Sequence, residues 1–349
     1  MAMNRKERRA AAKQVRGKIG ATGLSAKVEQ AIALAQAGTF DQAESLLDAA
    51  LKANPEDGEA KHQLGMIHVR TGRTQSGLKL LREAVEARPG ESLYWNNLAA
   101  AYLSVEMSNE AAEAARKATE LNPKYGMAWQ NLAFALRDLK QHASAIEAFE
   151  NGAKVDTLST ESLASWADSL GNEKRLIEAE VQARRALEKA PKDPAILSLL
   201  GWVLLEQNKN EEAREAFKSS LDLKPDQILA ALNYGLLLLK VNETESALRW
   251  LRRATSIDPR SVVAWRLLAE QLYKSGLKDE ALPAAERALR LAPDDKVLID
   301  IVKKLKGGGA AAEVAPNEIV IDYGNEPAAK PTTSASEGVF DLSQLNIFK

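Results

Sequence analysis

Apolar residues recur along this chain at helical spacing, in short blocks separated by polar turns. In SLYWNNLAAAYL, Trp95, Leu98, Ala99 and Tyr102 share one helical face, and Ala145, Phe149 and Gly152 share another in a later block. Prolines set the larger frame. They stand at 55, 89, 123, 191, 225, 259 and 293, every step being 34 residues except one of 68. Thr157 occupies the missing place, and the frame runs through it without insertion or deletion. With proline at position 32, units start at Leu24, Gly58, Ser92, Gly126, Thr160, Pro194, Ile228 and Val262.

The frame aligns two rows of small residues. Position 8 reads Ala31, Gly65, Ala99, Ala133, Ala167, Gly201, Gly235 and Ala269; position 20 reads Ala43, Gly77, Ala111, Ala145, Ala179, Ala213, Ala247 and Ala281. Small side chains let two helices approach closely while larger ones at positions 4, 7, 11 and 24 fill the surrounding space. Polar turns near positions 14 to 17, with Gly38, Gly72 and Gly276 among them, separate the two helices. Proline then ends the second helix, because it lacks an amide donor and pushes its predecessor out of helical geometry. Each unit is thus a helix-turn-helix hairpin. The first unit, with Lys27 and Gln30 at expected apolar places, reads as a degenerate cap, and Pro283 falls early in the last second helix. After Pro293, residues 294–306 form a one-sided helix through Val297, Leu298, Ile301, Val302 and Leu305, suited to capping an exposed end.

Composition adds limits rather than chemistry. Lys plus Arg number 47 and Asp plus Glu 48, so no global field draws the molecule to nucleic acid or an anionic membrane. Charge is uneven, however: residues 1–20 carry a net +6 and residues 307–349 a net −4. The first 23 residues read as a basic arm and 307–349 as a disordered acidic tail. The absence of cysteine excludes disulfides, thiolate metal sites and cysteine nucleophiles. No stretch is long enough to span a bilayer, the most apolar one being Ile228 to Leu239, which contains Asn233, and the basic start lacks the apolar region of a secretory signal. A cytoplasmic location is expected, and the MNRKERRAAAK start suggests a bacterial source. Of the three histidines, His68 falls at packed position 11, and His62 lies six residues away, the wrong spacing for a metal pair. GKIGATG lacks the preceding strand and Gly-Lys-Ser/Thr of a phosphate loop. No catalytic residue, metal or cofactor is therefore expected.

WNNLAAAY at 95–102, WQNLAFAL at 129–136 and WRLLAEQL at 265–272, with the small residues and prolines above, closely resemble the tetratricopeptide repeat. The resemblance covers 24–293 and implies an all-α, right-handed superhelical solenoid of eight 34-residue repeats with a C-terminal capping helix. It also implies a concave groove lined by first-helix positions 2, 5, 6, 9, 12 and 13. Position 6 carries Gln63, Asn97, Asn131, Ser165 and Asn233. WNNLA and WQNLA resemble the superhelical repeats of protein O-glycosyltransferases, in which an asparagine ladder holds an extended peptide by its backbone. An amide both donates and accepts, so it can satisfy a peptide unit without reading its side chain. Such contacts alone are weak, at about 0.5–1.5 kcal/mol each. Apolar anchors are expected from Trp202, Leu229, Leu232 and Leu236, and positive charge from Arg137, Arg266 and Lys274.

The reading is a non-catalytic scaffold or adaptor for a protein or extended peptide, with no small-molecule substrate. An accessory subunit of a glycosyltransferase, secretion or surface-assembly machine is the alternative. A nucleic-acid-binding helical array is the third reading, against which the period, the small residues and the acidic body argue. At the chain's end, Phe340, Leu342, Leu345, Ile347 and Phe348 form an apolar cluster expected to recruit a partner or occupy the protein's own groove.

Overall fold

The computed structural model describes residues 26–307; the basic arm, the acidic tail and its apolar cluster lie outside them. Chain contacts divide the molecule into two compact units, meeting between Leu158 and Ser159. In the first, hairpins are formed by α1 (Ala26–Gln36) and α2 (Phe40–Ala53), α3 (Gly58–Arg70) and α4 (Thr74–Ala87), α5 (Ser92–Leu103) and α6 (Ser108–Leu121), and α7 (Gly126–Asp138) and α8 (His142–Val155). In the second they are formed by α9 (Thr160–Asn172) and α10 (Leu176–Lys189), α11 (Pro194–Glu206) and α12 (Asn210–Leu223), α13 (Ile228–Lys240) and α14 (Thr244–Ile257), and α15 (Val262–Lys274) and α16 (Lys278–Leu291), followed by α17 (Lys296–Lys306). Among the described residues there is no strand. Within each unit the two helices of a hairpin pack most closely, and each second helix lies against the next first helix. The all-α hairpin stack expected from the period is what the chain forms.

Close approach at positions 8 and 20 is visible in the glycines. A Cβ on Gly77 would sit 2.6 Å from Val69 Cγ2 and 2.8 Å from the Gly65 carbonyl oxygen; one on Gly201 would meet the Phe217 ring at 2.8 Å. Phe149 and Phe217, at position 24, are fully buried. Several first helices are opened by side-chain caps: Asp57, Ser159, Asp193, Ser261 and Asp295 accept from first-turn amides, with Pro194 at the first turn of α11. The residue before each proline of the 34-residue frame is non-helical, Asn54 at φ −139° and Lys224 likewise. Asp156 is extended too, although Thr157 replaces the proline, and the neighbouring Leu158 is buried.

Position 15 shows a regularity that glycine content only partly revealed. Gly38, Gly72 and Gly276 have φ between 73° and 82°, and Glu106, Lys140, Lys174, Asn208 and Asn242 take the same left-handed conformation at 58° to 64°. All eight hairpins therefore use one turn geometry, whatever residue fills it. Helix α16 continues through Pro283 without interruption. In α17, Leu298 and Ile301 are buried, whereas Val297 is 40% exposed and does not belong to the covered face expected for it. The N-cap at Asp295 sets the register that turns Val297 outward.

Candidate functional site

The first helices of the first unit carry a continuous polar row where helix packing alone would call for apolar residues. It starts at Glu59 in the first turn of α3, whose backbone amide is held by the Asp57 cap 3.1 Å away. The Glu59 carboxylate accepts from Gln63 Nε2 at 2.7 Å and from the Tyr94 hydroxyl of α5, with Arg88 3.9 Å away. His62, fully buried, stacks on Tyr94 at 4.2 Å between ring centres. Its Nε2 lies 3.0 Å from Asn97 Nδ2, and its Nδ1 faces Glu59 at 4.0 Å. Asn96 Nδ2 donates to Asn97 Oδ1 at 3.3 Å and to the Tyr125 hydroxyl at 3.1 Å, while Asn131 Nδ2 of α7 donates to Asn96 Oδ1 at 2.9 Å.

With His62 accepting at Nε2, three amide bonds run in one direction: Asn131 to Asn96, Asn96 to Asn97 and Asn97 to His62, whose Nδ1 lies 3.5 Å from Gln63 Nε2. Aligned bonds polarise one another in a low-dielectric interior. Burial depresses the His62 pKa to about 4, partly opposed by the Glu59 charge. Burial raises the Tyr94 hydroxyl, as does its bond to Glu59, and burial raises Tyr125 to about 12. His62 and the two tyrosines are therefore neutral near pH 7.

The residues expected to line a groove divide by exposure. Gln63, Asn97 and Asn131 are 5% exposed or less, sunk among neighbouring first helices rather than standing free. They join Asn96, Tyr94 and Glu59, which sequence reasoning passed over, and His62, which it weighed only as a metal partner; the doubled amide in WNN was the available signal for Asn96. The Oε1 of Gln63 finds no hydrogen-bond partner among the described residues. Arg137, part-exposed at the end of α7, lies over Phe134 and donates to Asp138 at 2.8 Å.

In the second unit Ser165 and Asn233 are likewise buried. Trp202 is buried against Gly171, where an added Cβ would meet its ring at 2.5 Å, and Leu232 is 4% exposed, so both are packing residues before they are anchors. Leu236 is half-buried and Leu229, at 55% exposure, is the open apolar side chain of this group. Arg266 donates to Glu270 at 2.8 Å and to Asp295 at 3.2 Å, which ties the last first helix to the cap of α17.

Outside these faces, ion pairs join successive hairpins at repeating positions: Glu44 with Arg73, Glu180 with Lys209, and Arg214 with Glu243. Burial raises the Glu180 carboxyl, but bonds from Lys209, Arg184 and Gln207 outweigh it and hold the group at about 2. Among the described residues no group of three or more His, Asp or Glu side chains is arranged to hold a metal ion, and no helix is long and apolar enough to cross a membrane.

Family models described as tetratricopeptide repeat match residues 28–92 and 166–228, 204–270, 114–147 and 93–125. The human protein O-mannosyl-transferase TMTC1 is 30% identical over 129 residues, 37% of this chain and 14% of that protein. The CTR9 homolog of Arabidopsis thaliana is 30% identical over 120 residues, 33% of this chain and 11% of its own. The chain thus spans about one seventh or less of these curated relatives. Among solved structures, the APC/C hetero-tetramer Cut9-Hcn1 superposes with a TM-score of 0.57 at 17% identity, over 87% of this chain and 60% of that one, a likeness of fold.

Proposed function

Because the chain belongs to the tetratricopeptide-repeat family, a scaffold fold for protein interaction, we propose that it acts without catalysis by holding an extended segment of a partner protein along the first helices of its first unit. The observation that carries this reading is the polar row from Glu59 through His62, Asn97 and Asn96 to Asn131, which crosses three successive first helices. Buried polar groups cost stability unless they are satisfied, and Gln63 Oε1, buried without a partner among the described residues, is the acceptor of the row that a ligand amide would reach once the Gln63 side chain turns outward. Amides bind peptide units through the backbone, so the surface would tolerate varied sequence, and side-chain selection would fall to rim groups such as Arg137.

The test is capture with the full chain from a lysate of its source, identification of what binds, and titration of that partner against Asn97→Ala, Asn131→Ala and the wild type. Weakened binding by about tenfold or more in either variant, with the folded far-ultraviolet spectrum retained, is the expected result. Unchanged affinity in both folded variants would remove the row from the binding site. A second reading, an accessory role to a glycosyltransferase machine, is favoured by the match to the O-mannosyl-transferase. Co-purification of a separate glycosyltransferase with the captured partner distinguishes it.

A further inference from the structure

Position 11 is apolar or aromatic in every other repeat: Leu34, Tyr102, Leu136, Leu170, Leu204, Leu238 and Leu272. In the second repeat it is His68, and neither ring nitrogen is idle. Nδ1 lies 2.9 Å from the Oγ of Ser76, and Nε2 lies 3.3 Å from the Glu44 carboxylate. The imidazole is largely covered, with 11% of its side chain accessible, while Ser76 above it is exposed. Glu44 is held in turn by Arg73, whose Nη1 donates at 2.7 Å and whose bond keeps the carboxyl below its ordinary range.

We infer that Ser76 is an activated nucleophile, and that its ligand class is activated acyl esters. The three side chains stand in the order required: a hydroxyl, a base within reach of its proton, and a carboxylate that fixes the base. Glu44 accepts from Nε2–H, which leaves Nδ1 free to take the Ser76 proton. Ser76 is the third residue of α4, a helix whose N-cap residue, Arg73, supplies no side-chain cap. The Glu44–Arg73 ion pair also takes a bond from His68, but it makes no use of Ser76.

In the reaction, Oγ attacks the ester carbonyl carbon and a new C–O bond forms as the hydroxyl proton passes to His68 Nδ1. The tetrahedral intermediate then expels the alcohol or phenol oxygen with its bonding pair. That oxygen takes the proton from His68, leaving O-acyl-Ser76 and a neutral imidazole. His68 is the general base, and Glu44 is a positioning residue. The site is separate from the polar row, stands independently of the proposed peptide binding, and carries one acylation without turnover.

The experiment exposes the full chain to p-nitrophenyl acetate and maps acetylated serines by peptide mass spectrometry over time and pH. Ser76 is expected to acetylate at least about tenfold faster than any other serine, with a rate that rises as the imidazole loses its proton. Ser76→Ala removes the label, and His68→Gln lowers the rate by about a hundredfold while the chain stays folded. Glu44→Gln lowers it and shifts the pH profile, which a merely structural role would not do, whereas Glu44→Asp restores part of it. If Ser76 reacts no faster in the native chain than in urea, or His68→Gln reacts as fast as wild type while folded, the inference is overturned.

Discussion

His62 is the residue at which sequence and structure diverge most usefully. By spacing it is only the wrong partner for His68, yet it is fully buried, stacked on Tyr94 and bonded to Asn97. Its meaning comes from residues 35 positions away, which no local pattern brings together. The unfolded chain takes up this proton near pH 6.5, whereas the folded chain resists it to about 4. Between those values the unfolded state binds more protons, so the His62 contribution is complete above pH 6.5 and declines as pH falls to 4, by a total on the order of 3 kcal/mol. Urea unfolding at pH 7 and pH 4.5 measures it: the difference between wild type and His62→Gln should shrink at the lower pH, and a constant difference would show that the imidazole is not kept neutral. Lys140 is a second residue-scale case. It is left-handed at φ 60°, where glycine is at ease, so Lys140→Gly should raise stability by about 1 kcal/mol, read as a higher melting temperature. Gly72→Ala, at φ 82° with open space around it, should lower it through backbone strain alone.

At the scale of elements most of the hairpin was legible. The prolines mark where second helices stop, and the small residues at positions 8 and 20 mark where paired helices touch, because both are steric requirements of single residues. Gly77→Ala tests that contact directly: with Val69 Cγ2 at 2.6 Å from the new methyl, a loss of about 1–3 kcal/mol is expected in thermal or denaturant unfolding. A neutral outcome would mean that α3 and α4 separate easily. What the period concealed is the polarity of the helix faces. Asn97 and Asn131 look like exposed polar residues in a one-dimensional pattern, but the neighbouring first helices close over them. Trp202 and Leu232 are buried in the same way, so positions assigned to an open groove by register also serve the packing between hairpins. The ion pairs between hairpins, Glu180 with Lys209 and Arg214 with Glu243, were equally hidden, since each joins residues 29 apart whose charge signs reverse from one pair to the next.

For the whole molecule, stability in a repeat array is roughly a sum of hairpin terms and nearest-neighbour contacts, so the proposed binding row on three hairpins can be altered without unfolding the others. This is why a partner-binding defect and a folding defect are separable here. The same argument extends to the acidic segment after Lys306. Residues 308–349 lie outside the described structure, but Phe340, Leu342, Leu345, Ile347 and Phe348 give that segment an apolar cluster unlike the rest of its composition. Apolar side chains in such a segment contribute little unless they are buried on something, and burial recovers about 25 cal/mol for each Å² removed from water. Removing the segment should therefore change either partner affinity or oligomeric state while leaving the melting of the helical units in place. Partner titration and sedimentation of a chain ending at Lys306 read the two outcomes apart: lost affinity marks the cluster as a recruiting motif, and gained affinity marks it as a competitor for the proposed peptide-binding surface. A truncated chain that matches the full one in both measurements would show that the cluster docks nowhere.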